Sequence, residues 1–581
     1  MKNKITAVLL AILFIGLALR VVKLADVPAG LHFDEAQAGY NAFLISQTGK
    51  NISGEFLPIN IDSFGDFRPA LISYLSVPLV KILGLGYWST RLPSALAGTA
   101  LIILTYFLAK LCFRDEKVSL VSAALLAISP IAIIFSRSTT DGHIDVLWEI
   151  CAVIFLILAF KKQKGAYLVP VYFFWLLGYF TYQTSRVLSP MIAVITISLC
   201  YFEFRPKRRF VFVSLIPVAV YLIFPFLFFL PTPFGQGRFR QVSVFGYPEV
   251  QRSLDEQIRE DGPGENILAS RVFHNKIVGY SMDIFNRYLI FFSPNPMLTE
   301  ISQPDRYNVP GVGAVTIVEY LGLILAISFF IHKKIRPLNL LPAAFLLLGP
   351  LPSAVTYEAT PDMLRAVFMF PFWQMVAAFG LVATLRSFPR AAKALLTVLI
   401  IISIWQLAYF LHQYFVHEPV RHYSVQSRTT EMESLSYDLR SYVRSGKKVV
   451  ISEYNGPYMY YLFFNKINVL NTSFSKEGKY FSGNFKIDSL TFRKSPCLSP
   501  DDLLTGRYDV AVFWEYCKKP VWADKIAETF RSDGSKAMEI YNLDTNRNKI
   551  YLEMLSALTP ESSVSSQEAV LIKKNFEATF E

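Results

Sequence analysis

A chain of 581 residues that is 53% hydrophobic, 15% aromatic and only 18% charged is neither disordered nor an ordinary soluble enzyme. Its formal net charge of +12 does not indicate nucleic acid, because the basic residues gather in short runs between apolar stretches, such as "KKQKG" at 161, "RPKRR" at 205 and "HKKIRP" at 332. Runs of this kind mark the cytoplasmic loops of a membrane protein.

The first predicted element is an apolar helix over residues 5–24, preceded by Lys2 and Lys4. No small-residue cleavage site follows it, so it reads as a retained first helix rather than a signal peptide. With the lysines inside, "LHFDEAQAGYNAFL" at 31–44 emerges outside. The ordinary reading of its Asp34 and Glu35 is a pair of carboxylates in the first turn of an interfacial helix, where negative charge is welcome. The functional reading is a general base at the mouth of a helix bundle, where partial desolvation tunes its pKa.

"SFGDFRPAL" at 63–71 adds Asp66 and Arg68. The apolar segment 69–84 that overlaps it is short and contains two prolines and Lys81. If it crossed, most later basic loops would face outward, so it is expected to lie along the membrane without crossing. Eleven spans remain: 5–24, 91–113, 118–136, 144–160, 167–185, 187–203, 210–230, 315–332, 338–355, 364–385 and 393–411. An odd count puts the C-terminal part outside together with the first loop.

A second outer turn, "SRSTTDGHID", carries Arg137, Asp141, His143 and Asp145, with Glu149 one turn further on. An ionised carboxylate at membrane depth costs about 2.5–3.5 kcal/mol on insertion scales, so Asp145 and Glu149 are expected to face the bundle interior. Arg137 reads equally as a snorkelling interfacial residue or as a ligand contact. In the long outer loop 231–314, "NKIVGYSMDIFNRYLIFF" is an amphipathic stretch expected in the membrane interface.

The expected domains are a transmembrane domain over 1–411 and a soluble α/β domain over 412–581. In the latter, helices are predicted at "EMESLSYDLRSYVRS", "PYMYYLFFN" and "WADKIAETFRS", and strands at "KKVVISE" and "KINVLN", with "YDVAVFWE" and "KAMEIYNL" following the same alternation. It contains no nucleotide motif. Cys497 and Cys517 are its only cysteines and would pair if it faces an oxidising compartment. Cys112, Cys151 and Cys200 sit in apolar spans as small hydrophobes. His32, Glu35, His143 and His274 are ligand types suited to a divalent metal, but their spacing is not diagnostic.

Three stretches carry a family resemblance: the His-x-Asp-Glu motif, "SFGDFRPALISYLSVPLVKILGLGYWSTRLPSALAGT", and "LLAISPIAIIFSR" with an acidic residue four positions later. They resemble the GT-C glycosyltransferases related to protein O-mannosyltransferases and the lipid A aminoarabinose transferase. The likeness covers roughly residues 1–200 and continues more weakly to 411 through "NVPGVGAVTIVEYLG" and "TPDMLRAVFMFPFW". It implies a GT-C fold and a multi-pass protein of the cytoplasmic membrane that moves a sugar, with inversion, from a polyprenyl-phosphate donor lipid to a glycan, lipid or protein acceptor at the outer face.

By the same resemblance Asp34 is the general base, Glu35 the orienting half of its motif, and Asp141 the second acidic residue. Arg68 and Arg137 would meet the lipid phosphate. Asp66, His143, Asp145 and Tyr40 are the remaining expected substrate contacts. Phe67 separates Asp66 from Arg68, a departure from the aminoarabinose-transferase pattern that weakens a metal role there. The rival readings are a transporter or flippase of lipid-linked sugars, which calls for broken helices and midplane charges, and a membrane scaffold whose soluble domain binds polymer.

Overall fold

In the computed structural model the described residues are 2–63, 66–228, 242–262, 267–301, 304–332, 335–357, 360–476, 484–499, 503, 508–520 and 523–543. The first ten helices are α1 (Lys2–Val21), α2 (Phe33–Thr48), α3 (Leu71–Leu83), α4 (Tyr87–Phe113), α5 (Glu116–Ile128), α6 (Pro130–Ser136), α7 (Asp141–Lys162), α8 (Leu168–Tyr179), α9 (Ser185–Phe204) and α10 (Arg208–Phe228). Two short strands, β1 (Asn60–Ser63) and β2 (Asp66–Pro69), precede α3.

Every one of the eleven expected spans coincides with helix. Among the described residues, seven segments are long and apolar enough to cross a membrane, and the bent pair α5 and α6 makes an eighth. That pair turns by 59° at its break, where Pro130 cannot donate a backbone hydrogen bond and Ser129 takes an extended conformation. Segment Gly165–Tyr179, which contains α8, and helix Ile317–His332 are apolar but shorter, and the expected span 210–230 extends beyond the described residues. Helix α3 has 13 residues, a length of about 20 Å at 1.5 Å per residue, against roughly 30 Å of hydrocarbon. It is too short to cross, in keeping with the expectation for 69–84.

The chain forms two compact units. The first comprises residues 1–24, 69–72 and 91–417. Within it, helices Ile317–His332 and Phe372–Ser387 meet at glycines: a Cβ on Gly322 would come within 2.7 Å of the Ala377 carbonyl, and one on Gly380 would collide with the Gly322 carbonyl. Small residues allow this approach of backbones where no hydrophobic force separates helix from lipid.

The second unit comprises 25–68, 73–90 and 418–581. The expected division was at 411. The boundary falls at 417, and most of the first outer loop belongs with the C-terminal part. The reason lies in α2, whose Ala36, Tyr40 and Leu44 recur at helical spacing and are fully buried in one core with Tyr458, Met459, Leu462 and Val450. A stripe that reads as a lipid-facing surface is covered by protein.

That core lies on a seven-stranded sheet of β3 (Val449–Ser452), β4 (Phe474–Lys476), β5 (Phe485–Ile487), β6 (Leu490–Arg493), β7 (Val510–Trp514), β8 (Asp524–Phe530) and β9 (Lys536–Asn542). Its order is β4-β5-β6-β3-β7-β9-β8. Strand β3 is parallel to β6 and β7, pairing Val449 with Leu490 and with Val510, and the outer pairings are antiparallel. Helices Met432–Arg444 and Pro457–Phe464 form where expected. Two segments differ. "WADKIAETFRS" forms edge strand β8, pairing with β9 rather than coiling as its Ala, Lys and Glu content favours. "KINVLN" ends in a 3-10 turn, Val469–Asn471, instead of a strand. Cys497 and Cys517 form a disulfide.

Candidate functional site

In the second unit, the start of α2 is held by a reciprocal cap. His32 has an extended backbone (φ −70°, ψ 151°), and its Nδ1 accepts from the Asp34 amide at 3.2 Å. Glu35 returns the interaction, its Oε2 accepting from the His32 amide at 3.2 Å. Glu35 is also the partner of Arg428, whose Nη1 lies 3.3 Å from Glu35 Oε2. The Nε of Arg428 lies 3.4 Å from Glu418 Oε1, which accepts from Ser424 Oγ at 2.7 Å. All three side chains are buried, and Arg428 brings positive charge to both carboxylates, which offsets part of their loss of water.

Further contacts fix the turn leading into α2. Thr429 Oγ1 donates to the Leu31 carbonyl at 3.3 Å and Tyr460 OH donates to the same oxygen at 3.1 Å. The ring of Phe33 sits 6.2 Å from that of Tyr458 and 6.4 Å from that of Tyr460. On this rigid mount Asp34 retains 15% side-chain exposure, and its Oδ2 lies 2.9 Å from Arg68 Nη1. The two adjacent carboxylates therefore differ: Glu35 is buried in a structural network, whereas Asp34 is reachable and paired with a cation that is itself 33% exposed.

Tyr40, expected at the sugar, is fully buried instead. Its hydroxyl donates to the Ile467 carbonyl at 2.7 Å and accepts from the Val469 amide at 3.3 Å, which ties α2 to the core. The side chain of Asp66 lies outside the described residues.

The other expected residues lie in the first unit. Arg137 follows α6, is fully buried, and donates from Nη1 to the Leu19 carbonyl and from Nη2 to that of Lys23, both at 3.0 Å. These are carbonyls at and just past the C-terminal end of α1, where a cation is favoured. Its guanidinium also stacks 4.6 Å from the Phe415 ring centroid. His143 Nε2 lies 3.0 Å from Ser136 Oγ, which also accepts from Arg20 Nε at 3.1 Å, so His143 belongs to a buried network joining α1, α6 and α7.

Asp145 and Glu149 face the interior, as expected from the cost of charge in hydrocarbon. Glu149 accepts from Trp175 Nε1 at 3.2 Å and from Ser189 Oγ at 2.5 Å. Asp145 packs against Gly178, where a Cβ would stand 2.8 Å from its Oδ1. Asp141 begins α7 and is partly exposed. Its neighbour Gly142 meets Tyr182 and the 364–367 segment, since a Cβ there would lie 3.3 Å from Tyr182 Cε1 and 3.4 Å from the Leu364 carbonyl. That segment carries an ion pair, Arg365 Nε to Asp362 Oδ2 at 3.2 Å. Burial pushes the Asp362 carboxyl up, and Arg365 opposes the shift.

Among the described residues no group of three or more His, Cys, Asp or Glu side chains is arranged to hold a metal ion. The four expected ligands are otherwise engaged: His32 and Glu35 in the cap, His143 with Ser136, and His274 with Gln257 at 3.0 Å.

Sequence reasoning missed Glu418 and Arg428, which have no local motif, and Asp362 and Arg365. The last two sit inside "TPDMLRAVFMFPFW", a stretch that carries part of the family resemblance without an assigned role.

The structure is similar to that of ArnT from Cupriavidus metallidurans bound to undecaprenyl phosphate, with 12% identity over 94% of this chain and 98% of that one and a TM-score of 0.50. The archaeal oligosaccharyltransferase AglB from Archaeoglobus fulgidus, in complex with an inhibitory peptide and a dolichol-phosphate, is also similar, with 12% identity and a TM-score of 0.47. The match covers 80% of this chain but 64% of AglB, so the chain spans less than two thirds of that protein. No curated protein sequence matches. The likeness to ArnT shows a fold of the GT-C kind with a sheet-containing C-terminal part. Residues 68–232 match the model of the dolichyl-phosphate-mannose-protein mannosyltransferase family. The family match thus covers one stretch of the chain, and the likeness to ArnT extends over nearly all of its fold.

Proposed function

We propose that the chain transfers a sugar, with inversion, from a polyprenyl-phosphate-linked donor to an acceptor hydroxyl of a glycan, lipid or protein at the outer face of the cytoplasmic membrane. The observation that carries this reading is the reachable Asp34–Arg68 pair on the rigid first turn of α2. Asp34 takes the proton of the acceptor hydroxyl as its oxygen attacks the anomeric carbon. The bond from that carbon to the phosphate oxygen breaks, its electron pair stays on the oxygen, and polyprenyl phosphate leaves.

Arg68 stabilises the charge that develops on the phosphate. In the resting protein Arg68 is held by Asp34. A donor phosphate competes for the guanidinium, and as it does so Asp34 loses its counter-charge and becomes a stronger base. Asp141 at the start of α7 serves as the second acidic residue. The support comes from the family match, the fold shared with ArnT, and the undecaprenyl phosphate bound in that protein. The basic runs between spans favour an outward C-terminal domain, and the Cys497–Cys517 disulfide suits an oxidising compartment.

The test is donor turnover. Purified protein in liposomes is given undecaprenyl phosphate carrying mannose, glucose, galactose or aminoarabinose, together with an envelope extract as acceptor. Release of free undecaprenyl phosphate from at least one donor is expected. No release from any of them would overturn the reading.

A further inference from the structure

Strand β3 is the switch point of the C-terminal sheet. The chain leaves it to build β4, β5 and β6 on one side and then returns to add β7 on the other. Because β3 is parallel to both β6 and β7, the carboxyl ends of three adjacent strands emerge together. Open α/β sheets bind ligands at such a place. The loops that follow β6 and β7 are tied there by the Cys497–Cys517 disulfide.

Three aromatic residues gather at these ends. Trp514 closes β7, and its ring lies 6.1 Å from that of Tyr516 with 12° between their planes. Tyr454, two residues past β3, stands edge-on to both, at 89° to Trp514 and 82° to Tyr516. Tyr454 is 46% exposed and Tyr516 56% exposed. Apolar rings left open beside a tied pair of loops form a surface that the fold itself does not use.

Buried polar atoms accompany the rings. Glu453 links β3 to Tyr454, and its carboxyl is buried with the Tyr458 amide as a hydrogen-bond donor. The indole Nε1 of Trp514 is buried and has no hydrogen-bond partner among the described residues. Burial pushes the Glu453 carboxyl well above its ordinary range, with partial relief from the Tyr458 amide. An unpaired buried polar group destabilises the fold, and folded proteins retain few.

A pyranose ring answers each of these features. Its C–H face covers an aromatic ring, neighbouring hydroxyls donate to the carboxylate oxygens, and a hydroxyl oxygen accepts from the indole N–H. We propose that the aromatic surface formed by Tyr454, Trp514 and Tyr516 beside Glu453 binds a pyranose unit of a glycan. Its use as an acceptor subsite rests on the transferase reading, whereas binding itself does not.

Full-length protein in detergent is titrated with mannotriose, cellotriose and triacetylchitotriose by saturation-transfer NMR, alongside Tyr516→Ala and Glu453→Gln. Tyr516 is exposed, so its variant keeps the fold, which the unfolding midpoint verifies. Saturable binding of at least one trisaccharide is expected, weakened about tenfold or more in both variants, equivalent to roughly 1.4 kcal/mol. Absence of binding by all three, or affinities within about twofold of wild type in both variants, would overturn the proposal. Donor turnover is measured on the same preparation. Turnover without trisaccharide binding removes this site alone, and binding without turnover removes only the transferase reading.

Discussion

Arg428 lies 393 residues along the chain from Glu35, yet its Nη1 stands 3.3 Å from Glu35 Oε2 with both side chains buried. Glu35 in turn caps α2 through the His32 amide. The C-terminal segment therefore determines where the first turn of α2 sits, and with it the position of Asp34. The C-terminal part, which has no catalytic motif of its own, thus mounts the candidate base Asp34.

Replacing Arg428 with Met would take from the buried Glu35 and Glu418 the cation they share. Removing one partner of a buried ion pair costs about 3–5 kcal/mol. Thermal unfolding of the purified protein should show a large fall in the midpoint of the C-terminal unit. A midpoint equal to that of wild type would mean that the network does not hold the turn.

For Arg68 the outcome divides by chemistry rather than by stability. The pair with Asp34 is partly exposed, and such pairs add only about 0–1 kcal/mol to stability. Arg68→Ala should unfold close to wild type while donor turnover drops by about 100-fold or more, the scale of one lost charge-stabilising donor. Arg68→Lys, which keeps a point charge but not the fork, should recover part of the activity. Equal activity in all three proteins would remove Arg68 from the site.

The pH dependence of the C-terminal unit should carry the signature of Glu431. Burial pushes its carboxyl up to about 7, with Arg531 opposing from 3.8 Å. In the unfolded chain a glutamate titrates near 4.3, so between roughly 4.3 and 7 the native state holds a proton that the unfolded state has lost. The contribution is complete below the unfolded value and is lost as pH rises through about 7. At full size it amounts to about 4 kcal/mol. Comparing unfolding midpoints at pH 5 and pH 8, Glu431→Gln should be less sensitive to pH than wild type. Identical slopes in the two proteins would contradict this.

The Cys497–Cys517 disulfide closes a loop with a sequence separation of 20, for which chain entropy gives about 3 kcal/mol. Cys497→Ser with Cys517→Ser should lower the midpoint of the C-terminal unit accordingly. Mild reductant should lower the wild-type midpoint and leave the double variant unchanged. A reductant effect of the same size in both would show that the bond does not form.

Much of the helical architecture was legible because apolar runs near membrane length have few alternatives, and each of the eleven segments is helical. The short α3 was legible from the charge of the loops around it. The placement of α2 was not, because the Ala36, Tyr40 and Leu44 stripe looks the same whether lipid or protein covers it. Local composition misled at β8, where pairing with β9 outweighs helix propensity. At the candidate site the Asp34-Glu35 motif and Arg68 stood out, but the difference between the two carboxylates did not. That difference is made by Arg428 and Glu418, and no local pattern links residues so far apart in sequence.

The central claim is that Asp34 removes the acceptor proton. Asp34→Asn is nearly isosteric, keeps the mount of α2 intact and cannot serve as a base. Single-turnover transfer from the donor lipid that the wild type accepts, compared at matched folding by unfolding midpoint, tests it most directly. The account predicts a loss of about 100-fold to 10,000-fold in the rate of transfer with an unchanged midpoint. Transfer by Asp34→Asn at a rate near that of wild type would contradict it.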